Sequence, residues 1–263
     1  MTGVSSLPAL AASPTRGLLH RFVARVEVVR PRAGELRRSV DFLPDGTTTL
    51  VFRALGGGAG DVGVRGPMTR AYYKTAPAIP LSLRVVFRPG GGYPFFGVPV
   101  RDLVDRMVPL EDLWGARAKE LIESLLAAVE HRGDVGALVE RALLDRIRVQ
   151  PFEPASAVQA RAGVRLLDGG NRSIDDVARQ LGISGRHLRR IFHTTVGFGP
   201  KTYARITRFQ RALALGRAQP GRWSEVAHRA GYFDQAHLAA DFRELALVSP
   251  GALGRDVGVR HEC

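Results

Sequence analysis

A near-repeat at a spacing of 49 to 50 residues constrains this chain more than any other feature of it. The first copy carries Val177, Ala178, Gly182, Ser184, His187, Leu188, Phe192 and Pro200. The second carries Val226, Ala227, Gly231, Asp234, His237, Leu238, Phe242 and Pro250. Ala178 and Ala227 are 49 apart, as are Gly182 and Gly231, whereas the His, Leu, Phe and Pro pairs are 50 apart. The second copy therefore holds one extra residue between its glycine and its histidine. Self-similarity at this period is one supersecondary unit used twice.

Each copy makes physical sense as a helix-turn-helix. A small alanine lets two helix axes approach, and a glycine four residues later accepts the left-handed conformation that ends the first helix. Ser184 or Asp234 then caps the next helix, whose Leu and Phe, four apart, face inward. Ser173 and Asp176 form a loose capping box before the first unit. Pro200 suits the first turn of a connecting helix reaching about Arg217. Some 18 residues at ~1.5 Å span roughly 27 Å, comparable to the ~34 Å between successive major-groove faces of DNA.

Charge singles out the same region. Lys and Arg number 38 against 25 Asp and Glu, a net of +13, and all but Lys74, Lys119 and Lys201 of the basic residues are arginine. Residues 1–154 have 21 basic and 16 acidic side chains, net +5; residues 155–255 have 16 and 7, net +9, in fewer residues. Such an excess on a folded repeat points to a polyanion, and a basic tail of the DNA-compacting kind is absent. The single cysteine, Cys263, excludes an internal disulfide and a Cys-based zinc site and fits a reducing cytoplasm. The run Thr2 to Thr15 lacks the basic and apolar regions of a signal peptide, and no run reaches the roughly 20 apolar residues of a membrane span. A cytoplasmic protein without a membrane partner is expected.

The N-terminal half has a different rhythm. Phe22 to Val29 and Ser82 to Arg88 alternate as strands do, and Pro44-Asp45-Gly46 reads as a turn feeding a strand from Thr47 to Phe52. From about Asp102 the period becomes helical. Leu121, Ile122, Leu125, Leu126 and Val129 share one face, and Leu138, Val139, Ala142, Leu143 and Ile147 share another; Gly133 and Asp134 between them suggest a helical hairpin. The Pro-rich Gln150 to Ala155 breaks the pattern. The expected layout is an α+β N-terminal domain over 1–150, β-rich with a C-terminal helical hairpin, for regulation, effector binding or dimerisation. A linker over 151–157 follows, then an all-α domain over 158–255 with two helix-turn-helix units joined by a linker helix, and a tail over 256–263.

Residues 158–255 resemble the tandem helix-turn-helix domain of the AraC/XylS family of bacterial transcription regulators. The likeness rests on the Ala-x-x-x-Gly, Leu-x-x-x-Phe and Gly-x-x-Pro elements above and on two such units at this separation. The N-terminal segments Arg88 to Gly97 and Val108 to Gly115 are similar to a poorly characterised regulatory domain attached to some members. The resemblance implies a sequence-specific DNA-binding regulator, with double-stranded DNA as partner and with RNA polymerase, a small-molecule effector and a second copy of the chain as admissible ones. Some DNA-repair methyltransferases share this domain type, but they need a zinc-held reactive cysteine that this chain lacks.

With Leu188 and Phe192 committed to the core, the first recognition helix offers Ser184 at its cap and Arg186, His187, Arg189 and Arg190 on its face. Paired bonds from arginine to guanine O6 and N7 are the commonest specific contact; the competing role is phosphate contact or plain solvation. By the resemblance, these arginines reach bases or adjoining phosphates. The second unit offers Gln235 and His237 as polar readers beside Ala236, Ala239 and Ala240. Family members often have a basic residue where Ala240 stands and usually a glycine where Leu247 stands. Most direct readout is therefore expected of the first unit, with the second positioning the protein on the backbone.

Other signals carry less. Gly58, Gly60 and Gly63 match a dinucleotide-binding pattern, but Gly66-Pro67 cannot open the required helix, so a hairpin loop is expected. The seven histidines do not cluster at ligand spacing, and no catalytic triad or carboxylate pair emerges, so no cofactor, metal or catalytic residue is expected. Tyr72, Tyr73, Tyr93, Phe95, Phe96 and Trp114 either line an effector pocket or form core. The alternative function is an N-terminal small-molecule-binding or catalytic domain as the main activity, with DNA binding secondary.

Overall fold

Alternating β-branched strands in the first hundred residues and helical stripes thereafter give two architectures in one chain. The computed structural model describes residues 4–6, 16–149, 154–170 and 172–253. The Thr2 to Thr15 run, apart from 4–6, and the expected tail with Cys263 lie outside the described residues, as do 151–153 of the expected linker.

The N-terminal part begins with β1 (Val4–Ser6), a short helix α1 (Arg16–Leu19) and β2 (Val23–Val29), then β3 (Arg37–Phe42), β4 (Thr49–Gly56), β5 (Ala59–Arg65), β6 (Tyr72–Pro77) and β7 (Leu81–Phe87). The helical turn α2 (Tyr93–Phe96), β8 (Met107–Pro109), α3 (Leu110–Trp114) and the hairpin α4 (Ala116–Glu130) and α5 (Val135–Val149) complete it. Six strands form an antiparallel sheet in the order β1-β2-β7-β4-β5-β8, and β3 pairs only with β6 as a separate ribbon. Gly58 lies in the tight turn of the β4–β5 hairpin, with Gly60 and Gly63 within β5 opposite Ala54 and Val51, the loop expected there in place of a phosphate site.

One face of the sheet is covered by the helical hairpin. Phe52, Phe87, Leu83 and Val64 are fully buried there with Leu125, Val139 and Leu143. Phe95 and Phe96 sit in the same core, with Phe95 4.9 Å from the Phe87 ring, and Trp114 Nε1 donates to the Phe95 carbonyl at 2.8 Å. Phe95 and Phe96 are core and line no pocket among the described residues, Trp114 is core with one edge on a shallow groove along the helical hairpin, and the hairpin leucines serve the sheet. Packing at this density stabilises by burying roughly 1.5–3 kcal/mol per large side chain.

The C-terminal part is helical: α6 (Ala155–Asp168), α7 (Ile174–Gln180), α8 (Gly185–Thr195), α9 (Pro200–Ala218), α10 (Trp223–Ala230), α11 (Gln235–Ala246) and α12 (Pro250–Leu253). Pro154 caps α6 in an extended conformation, so Ala155 to Ala157, within the segment expected as linker, already form the first helical turn. Two separate apolar cores form here. The first holds Leu188, Ile191, Phe192, Tyr203 and Ile206; the second holds Phe209, Leu213, Val226, Leu238 and Phe242. The connecting helix α9 contributes to both. No helix among the described residues is long and apolar enough to cross a membrane.

Candidate nucleic-acid interface

The first unit is α7, a turn and α8. Gly182 takes φ +66° and ends α7, and Ser184 opens α8 by accepting the His187 amide at 3.2 Å. Its hydroxyl hydrogen stays available to a phosphate, since the cap uses only an oxygen lone pair. Ser173 caps α7 in the same way, accepting from the Asp176 amide at 3.0 Å. Arg186, Arg189 and Arg190 are exposed on α8. Arg190 Nη2 lies 3.3 Å from His187 Nδ1, and His187 Nε2 is buried without a hydrogen-bond partner among the described residues. His187 therefore turns its ring into the protein and steadies Arg190, while the three arginines face outward.

The second unit is α10, a turn and α11. Gly231 takes φ +87°, and Asp234 caps α11 by accepting the His237 amide at 2.7 Å. The added residue of this turn is Phe233, which is 93% exposed, although its size would ordinarily favour burial. Gln235 Oε1 accepts from Ser224 at 2.6 Å, leaving its amide hydrogens to face outward. The His237 ring is exposed and stands edge-on to Tyr232, with centroids 5.1 Å apart. Leu247 ends α11 at φ 61°, a left-handed position where a non-glycine residue costs roughly 1–2 kcal/mol.

An ionic network that the sequence pattern does not reveal fixes α11 to the connecting helix. Asp241 is buried and accepts from Arg205 at 2.8 Å and from Arg208 at 3.5 Å. Arg205 also forks onto Glu244 at 2.8 and 2.6 Å, and this pairing, Glu244 first and Asp241 after it, holds its pKa above the ordinary arginine value. Arg208 lies 4.7 Å over the Tyr232 ring. The chain of contacts runs from α9 to the ring beneath His237.

The N-terminal domain grips both units. Ala71 N donates to the Leu245 carbonyl at 2.7 Å, and Tyr73 Oη donates to the Ala246 carbonyl at 2.6 Å. Burial, then Asp41, pushes the Tyr73 phenol up to about 12, so it remains a donor at neutral pH. Gln210 donates to the Pro44 carbonyl, and Leu43 packs on the second unit's core. Val104 packs on the first unit's core, and Arg161 of α6 lies 5.0 Å over the Phe22 ring. Tyr73 thus belongs to this interface, and exposed Tyr72 stacks on Phe42; of the six aromatics considered as pocket lining only Trp114 borders a cavity among the described residues, so they form no pocket together.

A cavity of about 280 Å³ lies elsewhere, between the six-stranded sheet and the β3–β6 ribbon. Arg25, Glu27, Arg38, Arg65, Lys74 and Arg84 are among its lining. Arg25 pairs with Glu27, Arg38 with Glu35 and Arg65 with Asp45. The guanidinium of Arg84, on the central strand β7 opposite Glu27, makes no hydrogen bond among the described residues. Burial pulls its pKa below the ordinary value, Glu27 opposes this, and Arg65, Arg38 and Arg25 add to it.

A helix-turn-helix domain model matches residues 177–256, and a model of a domain of unknown function, DUF6597, matches residues 13–109. The HTH-type transcriptional regulator GlxA of Rhizobium meliloti (strain 1021) is 34% identical over 82 residues, 31% of this chain and 25% of that relative, so the chain spans a quarter of the length of the regulator it matches. An AraC-type transcriptional regulator structure from Chromobacterium violaceum is 23% identical with a TM-score of 0.37, over 40% of this chain and 100% of that one. ToxT from Vibrio cholerae O395 overlaps 90% of this chain and 100% of its own, at 9% identity and a TM-score of 0.44. GlxA and the Chromobacterium protein are named as regulators of transcription. With two capped units on one connecting helix and the match over residues 177–256, the C-terminal part of this chain carries a helix-turn-helix domain similar to that of the HTH-type transcriptional regulator GlxA.

Proposed function

We propose that the whole chain is a sequence-specific regulator that sets α8 and α11 into successive major-groove faces of one duplex. The observation that carries this is the pair of outward recognition helices held on a single rigid α9, the first bearing Arg186, Arg189 and Arg190 on its exposed face. Arg186 and Arg190 are the hydrogen-bonding readers, Arg189 and Ser184 hold phosphate, and His187 orients Arg190. Gln235 and His237 supply the polar contacts of the second helix. Selection of bound duplexes from a random pool at near-physiological salt should yield two short boxes about one helical turn apart. Arg190→Ala should lower affinity for the selected duplex roughly tenfold to a hundredfold and relax one base position. Affinity that does not fall with added salt, or a pool that yields no preferred sequence, overturns the reading.

A signal to the N-terminal domain is the second part of the proposal, favoured by Arg84 at the wall of a cavity with no acceptor bonded to it. Its chemistry suits a small organic anion. Inorganic phosphate or a short carboxylate at about tenfold above its Kd should stabilise the protein by ~1.4 kcal/mol, raising Tm by about 3–5 °C. Arg84→Met should abolish the shift; an equal shift in that variant would place the ligand elsewhere.

A further inference from the structure

The two recognition helices present opposite chemistries at equivalent positions. At about 100° per residue, Ala236, Ala240 and Arg243 of α11 fall within roughly 60° of one another, opposite the buried Leu238, Phe242 and Leu245. Phe233 precedes them by three residues and is 93% exposed. Fifty residues earlier in the repeat, Arg186 and Arg190 occupy the places of Ala236 and Ala240. One outward stripe therefore begins with two guanidinium forks, and the other with an aromatic ring and two methyl groups.

A large apolar side chain held in water at a turn has no role in packing the domain, and its position sits at the entry of a DNA-reading helix. Asp234, the next residue, has its carboxylate engaged in the cap. Arg229, four residues before it, is exposed and pairs with Glu225, and Arg243 is exposed in the last turn of α11. An apolar tip at a recognition-helix N-terminus, with a cation farther along the same outward stripe, matches the major groove, where phosphates border the one apolar group that bases present, the C5-methyl of thymine. We infer that Phe233, with Ala236 and Ala240, reads thymine through its methyl group, so that the second unit selects thymine by apolar contact while the first selects guanine by hydrogen bonds. This rests on the proposed reading of DNA by both helices. It replaces the expectation that the second unit mainly positions the protein.

The test separates the methyl from everything else about the base. In a duplex selected by the full chain, each thymine of the second box is replaced by deoxyuridine, which keeps the hydrogen-bonding edge and loses only the methyl. Affinity should fall about fourfold per methyl contacted, the worth of one buried CH₂; the same change in the first box should alter affinity less than twofold. Phe233→Ala, exposed and outside every core, should keep its thermal unfolding profile, weaken the thymine duplex and bind the deoxyuridine duplex no worse than the parent does. Ala240→Arg should shift selection at that box from thymine toward guanine. A second box without thymine overturns the inference, as does equal affinity for thymine and deoxyuridine duplexes. Unchanged DNA affinity in Phe233→Ala also overturns it and assigns the exposed ring to a protein partner. A pool with no preferred sequence in either box removes the DNA reading itself, and is recognisable because the first box is missing too.

Discussion

Asp241→Ala is expected to destabilise the C-terminal domain by about 3 kcal/mol, measured by urea unfolding at neutral pH. The carboxylate is buried between Arg205 and Arg208, and removing one partner of such a group leaves the others desolvated without compensation. Arg205 retains Glu244, so it loses less. Arg208 has no second carboxylate within reach among the described residues and lies against Tyr232, so most of the penalty falls on it. The same ring supports His237, and the N-terminus of α11 should lose its fixed orientation. DNA affinity should fall along with stability. Combining Asp241→Leu with Arg208→Met should recover part of the loss, because an apolar pair of similar volume avoids the buried charge. A loss under ~0.5 kcal/mol for the single variant would mean that solvent screens the network as it screens a surface pair.

Gly197→Ala should cost about as much, for a different reason. Gly197 has φ +104°, outside the conformations an L side chain adopts readily, and that strain alone is worth roughly 1–3 kcal/mol. A methyl there would also stand 2.7 Å from Val104 Cγ2 and 3.3 Å from Val100 Cγ1. Those valines belong to the N-terminal domain, and Val104 packs on the first unit's core. The substitution therefore strains the turn after α8 and pushes the two domains apart at once. A combined loss of about 3 kcal/mol is expected from thermal unfolding. Gly17→Ala is the control: it has open space and no positive φ, so helix propensity should leave stability unchanged or raised by up to ~1 kcal/mol. Equal effects from the two substitutions would show that the contact between Gly197 and the valines carries no energy.

The two predictions sit on opposite sides of what local pattern can convey. The helix-turn-helix pair was legible because its signals act within a few residues. Gly182 and Gly231 adopt the left-handed turns, Ser184 and Asp234 make the caps, and Leu188 and Leu238 face inward, all through contacts along a single helix or turn. Strands β2 and β7 were legible by alternation in the same way, and β4 by the Pro44-Asp45-Gly46 turn that feeds it. The ribbon of β3 and β6 was not, because Arg37 to Phe42 and Tyr72 to Pro77 carry charged and polar groups without a clear two-residue period, and each strand pairs only with the other.

The sequence by itself determined two helix-turn-helix units, their spacing and the side chains their second helices leave outward, since exposure on an amphipathic helix follows from which residues its core claims. Tertiary structure alone decided that Phe95, Phe96 and Trp114 are core, that arginines line the cavity, and that Tyr73 bonds the Ala246 carbonyl across 173 residues. It also decided that Asp241 answers two arginines from another helix and that His187 turns inward while Phe233 does not. Contacts between residues distant in the chain are set by how whole elements dock, and no local periodicity encodes which polar atom will find a partner once they do.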